Sequence, residues 1–414
     1  MPCRYRTRDR RHSRTPNQVG EILRIVIVGA GIAGLVTAAA LRGRGHSITI
    51  CERARKLAPV GAGFTLQPNG IRRLAHLGLS DSIREVGSPV DRSFVCDWQG
   101  NEIPVDIMNK LSGSEASYSI HRADFQKILL GAIDDSVTIH TGREFESFTE
   151  DVGITVRFTD GSIEEADLLV GADGVRSAVQ TALGNDVKPV SESIMAVRSL
   201  IPIGEISWAA TEPRMGVWFG EGKTLLCYRV ASGTLMNIAA YIPTDRDSAE
   251  SWSAPSSTEE LLSVFAGWEP RVIETVTKAT DSFKWGIYDR PPLTRWCTRS
   301  AVLVGDAAHA MVPHLGQGAN QAIEDAFALA EVLKDARPET LPSMLVAYES
   351  VRKSRAEAIQ RLSRDAGQLY RNHANDDANQ KAIAIIDFLR TNGLGEQDSA
   401  ALAREHINRL QTTR

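Results

Sequence analysis

Residues 25–52 leave few folds open to this chain. Ile25-Val26-Ile27-Val28 is an apolar run of the kind that forms a strand buried on both faces, and Gly29-Ala30-Gly31-Ile32-Ala33-Gly34 follows it directly. An apolar helical stretch runs on to Leu41, and a second strand, Ser47 to Cys51, ends in Glu52, eighteen residues past Gly34. Strand, glycine turn, helix, strand and acid in this order make a dinucleotide fingerprint. Gly29 permits the tight turn, Gly31 the close approach of backbone to a pyrophosphate, and Gly34 the contact of helix with strand. The helix N-terminus then faces the phosphates, and Glu52 accepts from ribose hydroxyls. The fingerprint by itself leaves open which dinucleotide is bound.

A second stretch far along the chain narrows that choice. Ala301 to Val304 reads as another short buried strand, ended by Gly305 and Asp306, where a side chain at a strand's carboxyl end meets a ligand. Pro313 fixes a turn, and Gly316-Gln317-Gly318 opens into a helical pattern from Ala319 to Leu333. Free N–H groups therefore point out of the helix start, and Asp306 is an acceptor for ligand hydroxyls. Two separated stretches suit an extended cofactor held at both ends, with Gly318 and Ala319 at one end and Glu52 at the other.

This second stretch, AVLVGDAAHAMVPHLGQGANQAIED, resembles the GD motif of single-component FAD monooxygenases, the group of para-hydroxybenzoate and salicylate hydroxylases. Gly171-Ala172-Asp173-Gly174-Val175-Arg176-Ser177 is similar to that family's DG motif. The resemblance covers roughly residues 25–370 and has three motifs in the family order. It implies FAD as cofactor, with NADH or NADPH as a transient co-substrate that binds without a domain of its own, since no second GxGxxG occurs. By the same resemblance, Gly63 in Gly61-Ala62-Gly63 passes beside the flavin, Arg122 opens a helix and reaches the cofactor, and Arg53 joins Glu52 at the cofactor. Asp173 orders the loop near the cofactor, and Arg176 attracts the phosphates of the reduced nicotinamide nucleotide.

The implied fold is α/β: a Rossmann-like FAD-binding domain of the GR2 type with an inserted antiparallel β-sheet substrate domain and C-terminal helices. The expected division is a disordered basic leader at 1–24, the first part of the FAD-binding domain at 25–190, the substrate sheet at 191–285, the rest of the FAD-binding domain at 286–370 and a helical tail at 371–414. In the substrate sheet, alternation puts Ile194, Ala196, Arg198 and Leu200 on one face of the strand Ile194 to Pro202 and groups Leu226, Tyr228 and Val230 on the strand Thr224 to Val230. The resemblance places Arg198 and Tyr228 against the substrate beside the flavin, as the residues of substrate chemistry. Many aromatic-acid hydroxylases carry a histidine near this tyrosine, where this chain has Leu226 and Cys227. The arginines at 352, 355, 361 and 364 read as a solvated helix face packed on the nucleotide domain.

Composition excludes other classes. With 414 residues, 43% hydrophobic content and a net charge of −4, the chain has no electrostatic footprint for nucleic acid. It contains no apolar run of the roughly 18 residues needed to span a membrane. Five widely spaced cysteines without a CxxC pair suggest free thiols in a reducing, cytoplasmic compartment, and no metal-ligand motif is present. The arginine-rich leader allows a mitochondrial address.

The expected activity is insertion of one oxygen atom from O2 into an electron-rich aromatic or heteroaromatic small molecule, through the family's flavin C4a-hydroperoxide. Other readings on this fold are an epoxidase of secondary metabolism, a flavin dehydrogenase or reductase, a halogenase and a non-catalytic prenyl-binding chaperone. A halogenase would show Trp-x-Trp-x-Ile, and Lys284-Trp285-Gly286-Ile287 lacks the first tryptophan.

Overall fold

The structure is a computed structural model that describes residues 23–57, 62–90, 93–103, 116–211, 215–244, 254–371 and 398–412, with isolated positions between 380 and 388. Most of the expected leader, Gly61 and much of the expected tail lie outside the described residues. A five-stranded parallel sheet forms the first layer, in the order Ala301–Leu303, Leu168–Gly171, Arg24–Val28, Ser47–Glu52 and Val137–Thr141. Its central strand pairs Val28 with Gly171 on one side and with Cys51 on the other, so all carboxyl ends emerge at one edge. Three of these strands, Arg24–Val28, Leu168–Gly171 and Ala301–Leu303, are apolar and buried almost throughout; helix Ile32–Leu41 packs on Arg24–Val28, and strands Ile163–Ala166 and Ile154–Phe158 pack on Arg24–Val28 and Leu168–Gly171. The first strand begins slightly before the expected start at Ile25: Leu23 is fully buried, and Arg24 pairs with Asp167 at 2.9 Å.

Helix Ile32–Leu41 packs against helix Gly318–Val332, and Gly305 sits between them. Its φ is +60°, and an added Cβ would lie 2.7 Å from Ala33 Cβ, so only glycine fits. Hairpins at 145–166 form a separate three-stranded antiparallel sheet.

The large sheet has eight strands, ordered Ala254–Ser256, Ser282–Asp289, Val190–Pro202, Leu235–Pro243, Lys223–Val230, Met215–Gly220, Ser93–Asp97 and Glu102–Ile103. It differs from the expected 191–285 insertion in two ways. Ser93–Asp97 and Glu102–Ile103 come from the first half of the chain, and Ser93–Asp97 pairs parallel with Met215–Gly220 while the other pairs are antiparallel. One face of this sheet buries Phe94, Val197, Trp218, Leu225, Cys227 and Ile238 under helices Thr258–Val264 and Pro270–Thr277. Alternation leaves Arg198, Tyr228, Asn237 and Tyr241 on the opposite face, toward strand Gly63–Leu66.

The long helix Leu341–Arg371 is only partly the solvated face its arginines suggest: Arg361 is exposed and Arg355 and Arg364 are half-buried. Arg352 is 0% exposed, because it meets two carboxylates of helix Gly318–Val332. Among the described residues no helix is long and apolar enough to cross a membrane.

Candidate functional site

The carboxyl edge of the parallel sheet gathers the sequence motifs. Gly29 leaves the central strand at φ +106°, and an added Cβ would lie 2.4 Å from Ala172 O, so the glycine turn packs directly on the Asp173 loop. An added Cβ at Gly34 would lie 2.0 Å from Gly29 O, which brings the helix onto the turn. Gly31 has nothing within 4 Å of an added Cβ, and it caps helix Ile32–Leu41 without a side-chain hydrogen bond. The first turn of that helix therefore presents N–H groups beside open space.

Glu52 stands at the end of the neighbouring strand, where Ala30 N–H donates to Oε2 at 2.8 Å and Ala54 N–H to Oε1 at 2.8 Å. Each oxygen retains a lone pair for a further donor. Arg53 follows, exposed. Arg122 opens helix Arg122–Ala132 as expected, with its own N–H on Ala62 O at 3.4 Å. One turn on, Gln126 Nε2 donates to Ala30 O at 3.4 Å, so this helix face borders the glycine turn.

Asp173 closes its own loop. Its carboxylate accepts from Ser177 Oγ at 2.5 Å, Ala178 N at 2.8 Å and Val179 N at 3.2 Å, capping helix Ala178–Ala182. Burial raises this carboxyl above the usual range against the pull of those donors.

At the other end of the edge, Asp306 begins a short helix, Asp306–His309, and faces the start of helix Gly318–Val332. An added Cβ at Gly318 would lie 3.8 Å from Asp306 Oδ1, which brings the two together as the sequence predicted. Gln317 caps the helix without a side-chain bond, so the cap gives the first N–H groups of the helix, at Gly318 and Ala319, no side-chain acceptor.

Arg198 and Tyr228 are brought together, but both turn toward the chain's own backbone. Tyr228 Oη donates to Gly63 O at 2.7 Å, and Arg198 Nη1 donates to the same oxygen at 3.2 Å and to Tyr228 Oη at 3.3 Å. Gly63 N–H donates to Asn237 Oδ1 at 2.8 Å. An added Cβ at Gly63 would lie 2.6 Å from Val230 Cγ1 and 2.9 Å from Tyr228 Cε2, so glycine is required for this seat. Arg198 also approaches Tyr241 Oη at 3.5 Å and lies over the Trp285 ring at 5.9 Å.

Sequence reading missed Asn237, and the signal was an asparagine in the otherwise apolar run Leu235-Met236-Asn237-Ile238-Ala239. It also missed the seam that joins strand Gly63–Leu66 to the glycine loop. There Gln67 N–H donates to Asn320 Oδ1 at 2.9 Å, Gln67 Nε2 to Leu315 O at 2.8 Å and Asn320 Nδ2 to Thr65 O at 3.1 Å. His314 stands between, against the rings of Tyr241 and Tyr370. Burial and the nearby Arg371 push it down to about 3, so it is neutral at working pH. Among the described residues no group of three His, Cys, Asp or Glu is arranged for a metal ion.

Two uncapped helix starts, an open glycine at one of them and carboxylates at both ends fit a long dinucleotide with a ribose and a ring system to hold. The architecture defines a flavin-binding protein. The FAD binding domain family matches residues 23–363, and the chain belongs to that family. It is an FAD-dependent monooxygenase. Among its relatives, the 3-amino-4-hydroxybenzoate 2-monooxygenase of Streptomyces cremeus is 36% identical over 349 residues, 83% of this chain and 86% of that protein. The 6-hydroxynicotinate 3-monooxygenase of Pseudomonas fluorescens is 32% identical over 360 residues, 83% of this chain and 90% of that protein. A salicylate hydroxylase substrate complex superposes with a TM-score of 0.79 at 26% identity, across 93% of this chain and 98% of that one.

Proposed function

We propose that this enzyme inserts one oxygen atom from O2 into an electron-rich aromatic or heteroaromatic small molecule, with NADH or NADPH as the transient reductant. The observation that carries the reading is the uncapped start of helix Gly318–Val332 beside Asp306, at the edge of a sheet whose other end holds the glycine fingerprint. The aromatic substrates named for relatives in Streptomyces cremeus and Pseudomonas fluorescens support the substrate class. When bound, FAD supplies the electron transfer and oxygen activation that no side chain can.

The protein's part is to hold, orient and keep dry. Gly29, Gly31 and Gly34 admit the pyrophosphate to the first helix, and Glu52, with Arg53 beside it, holds the adenosine ribose. Arg122 reaches the cofactor from the helix that borders the glycine turn. Asp173 keeps the adjoining loop in place, and Asp306 takes ligand hydroxyls at the flavin end. The N–H groups at Gly318 and Ala319 stabilise negative charge that arrives on reduction, with dipoles that need no reorganisation. Gly63 passes beside the ring system, held by Arg198, Tyr228 and Asn237. In this arrangement Arg198 and Tyr228 serve the substrate side by fixing that strand, and Arg198, Tyr241 and Trp285 border the substrate. Nucleic acid has no part in this reading, and the buried free thiols Cys51, Cys96, Cys227 and Cys297 favour a cytoplasmic setting.

The test is a panel of phenols, aminophenols, hydroxybenzoates and hydroxypyridines added to the FAD-loaded enzyme with NADH or NADPH. The expected result is slow background oxidation of the nucleotide and strong stimulation by at least one member. Oxidation that no aromatic compound stimulates, with normal FAD content, contradicts the substrate class.

A further inference from the structure

Four helices meet in a fully buried charge network directly behind the cofactor edge. Arg352, on the long helix, sends Nε to Asp325 Oδ1 at 2.7 Å, Nη1 to Glu324 Oε2 at 2.9 Å and Nη2 to Gln321 Oε1 at 2.8 Å. All three partners lie on helix Gly318–Val332. Asp325 uses its second oxygen outward: Gly305 N–H donates to it at 2.8 Å and His309 Nε2 at 2.5 Å. Glu324 Oε1 accepts from Asn69 Nδ2 at 2.6 Å, and Asn69 also donates to Gln317 Oε1 at 3.1 Å. Arg352, Asp325 and His309 have no more than 1% exposure.

The network bridges the two points that the proposed cofactor site must hold in register. Gly305 and His309 flank Asp306, while Gln317 and Gln321 flank the uncapped helix start. The long helix Leu341–Arg371 touches this loop at two further positions. Tyr348 Oη donates to Leu303 O at 3.2 Å, and Gln360 Nε2 to Ala310 O at 2.9 Å. Buried ion pairs are a poor way to gain stability, since well-packed apolar side chains of similar volume do as well or better. A forked guanidinium holding two carboxylates at fixed angles supplies direction instead. Burial alone would raise the Asp325 carboxyl, and His309 and Arg352 bring it down to about 2, so it is ionised at working pH.

We infer that Arg352, acting through Asp325, is a positioning residue of the cofactor site: it fixes the Gly305–Asp306 turn relative to the start of helix Gly318–Val332. The inference rests on the reading that FAD is held between these two features. Arg352 reaches the turn through Asp325 and the helix start through Gln321.

The test compares Arg352→Lys, Arg352→Met and Asp325→Asn with the wild type as purified apoprotein, at a temperature where circular dichroism shows each folded. Two readouts are taken, FAD dissociation constant by flavin fluorescence and amide hydrogen exchange of the segment 301–318. Arg352→Met and Asp325→Asn are expected to weaken FAD binding at least tenfold and to speed exchange at Gly305. Arg352→Lys should fall between, because an ammonium keeps the charge and loses the fork. If Arg352→Met does not fold, the other two variants decide. Folded variants with wild-type FAD affinity and wild-type exchange overturn the inference and leave Arg352 a packing residue only. Failure of the wild type to bind FAD would instead overturn the cofactor reading, while exchange still tests the network.

Discussion

Gly29 and Gly31 stand two residues apart and meet opposite constraints, which separates folding from binding. An added Cβ at Gly29 would strike Ala172 O from a backbone at φ +106°, whereas one at Gly31 would meet nothing within 4 Å. Gly29→Ala should therefore cost at least about 2 kcal/mol of stability and lower the melting temperature of the apoprotein. Gly31→Ala should leave apoprotein melting close to wild type and weaken FAD binding, because its methyl occupies the space proposed for the pyrophosphate. Equal melting losses in both variants would remove that distinction. His314 gives a pH test. Its value falls from an ordinary 6.5 to about 3 on folding, so the unfolded chain takes up the proton first. Stability is then complete above about pH 6.5 and is lost as pH falls through 3, by on the order of 5 kcal/mol in all. Urea midpoints measured across that range should show the loss in the wild type and a flatter profile in His314→Asn; parallel profiles would contradict it.

Among the elements, strand Gly63–Leu66 depends most on distant residues. Arg198 and Tyr228 were legible because an arginine and a tyrosine on apolar alternating strands ask for a partner, yet their partner proved to be a backbone carbonyl at Gly63. No local pattern announces a contact between residues 165 positions apart. Tyr228→Phe removes two buried hydrogen bonds, the one donated to Gly63 O and the one accepted from Arg198, and should cost about 2 kcal/mol of stability, with Arg198 still holding the carbonyl. Arg198→Leu should cost more. Both should uncouple the enzyme, giving more hydrogen peroxide per product, because the strand proposed to pass beside the flavin is less firmly held. Product and peroxide measured side by side check this, and wild-type coupling in both variants would return them to simple packing. The long helix shows the same limit of sequence reading. Its arginines look solvated because charge is written locally, while the two carboxylates that bury Arg352 lie 27 and 28 positions away on another helix.

At the scale of the whole molecule, three strands of the parallel layer, Arg24–Val28, Ser47–Glu52 and Ala301–Leu303, were readable in the sequence. They are short, largely apolar runs, and glycines and acids sit at their carboxyl ends by a general rule of such sheets. The large sheet was less readable, because Ser93–Asp97 joins it from a distant part of the chain and in parallel with Met215–Gly220. Pairing partners across that separation leave no periodic signal. The central claim nevertheless concerns the assembled molecule: one layer holds a flavin, the other offers a substrate face, and oxygen is divided between product and water where they meet. Turnover under 18O2, with whichever aromatic compound stimulates NAD(P)H oxidation, tests this most directly. The account predicts one 18O atom in each molecule of product. A product formed at normal turnover with no 18O would contradict it and make the protein a dehydrogenase or reductase on the same fold.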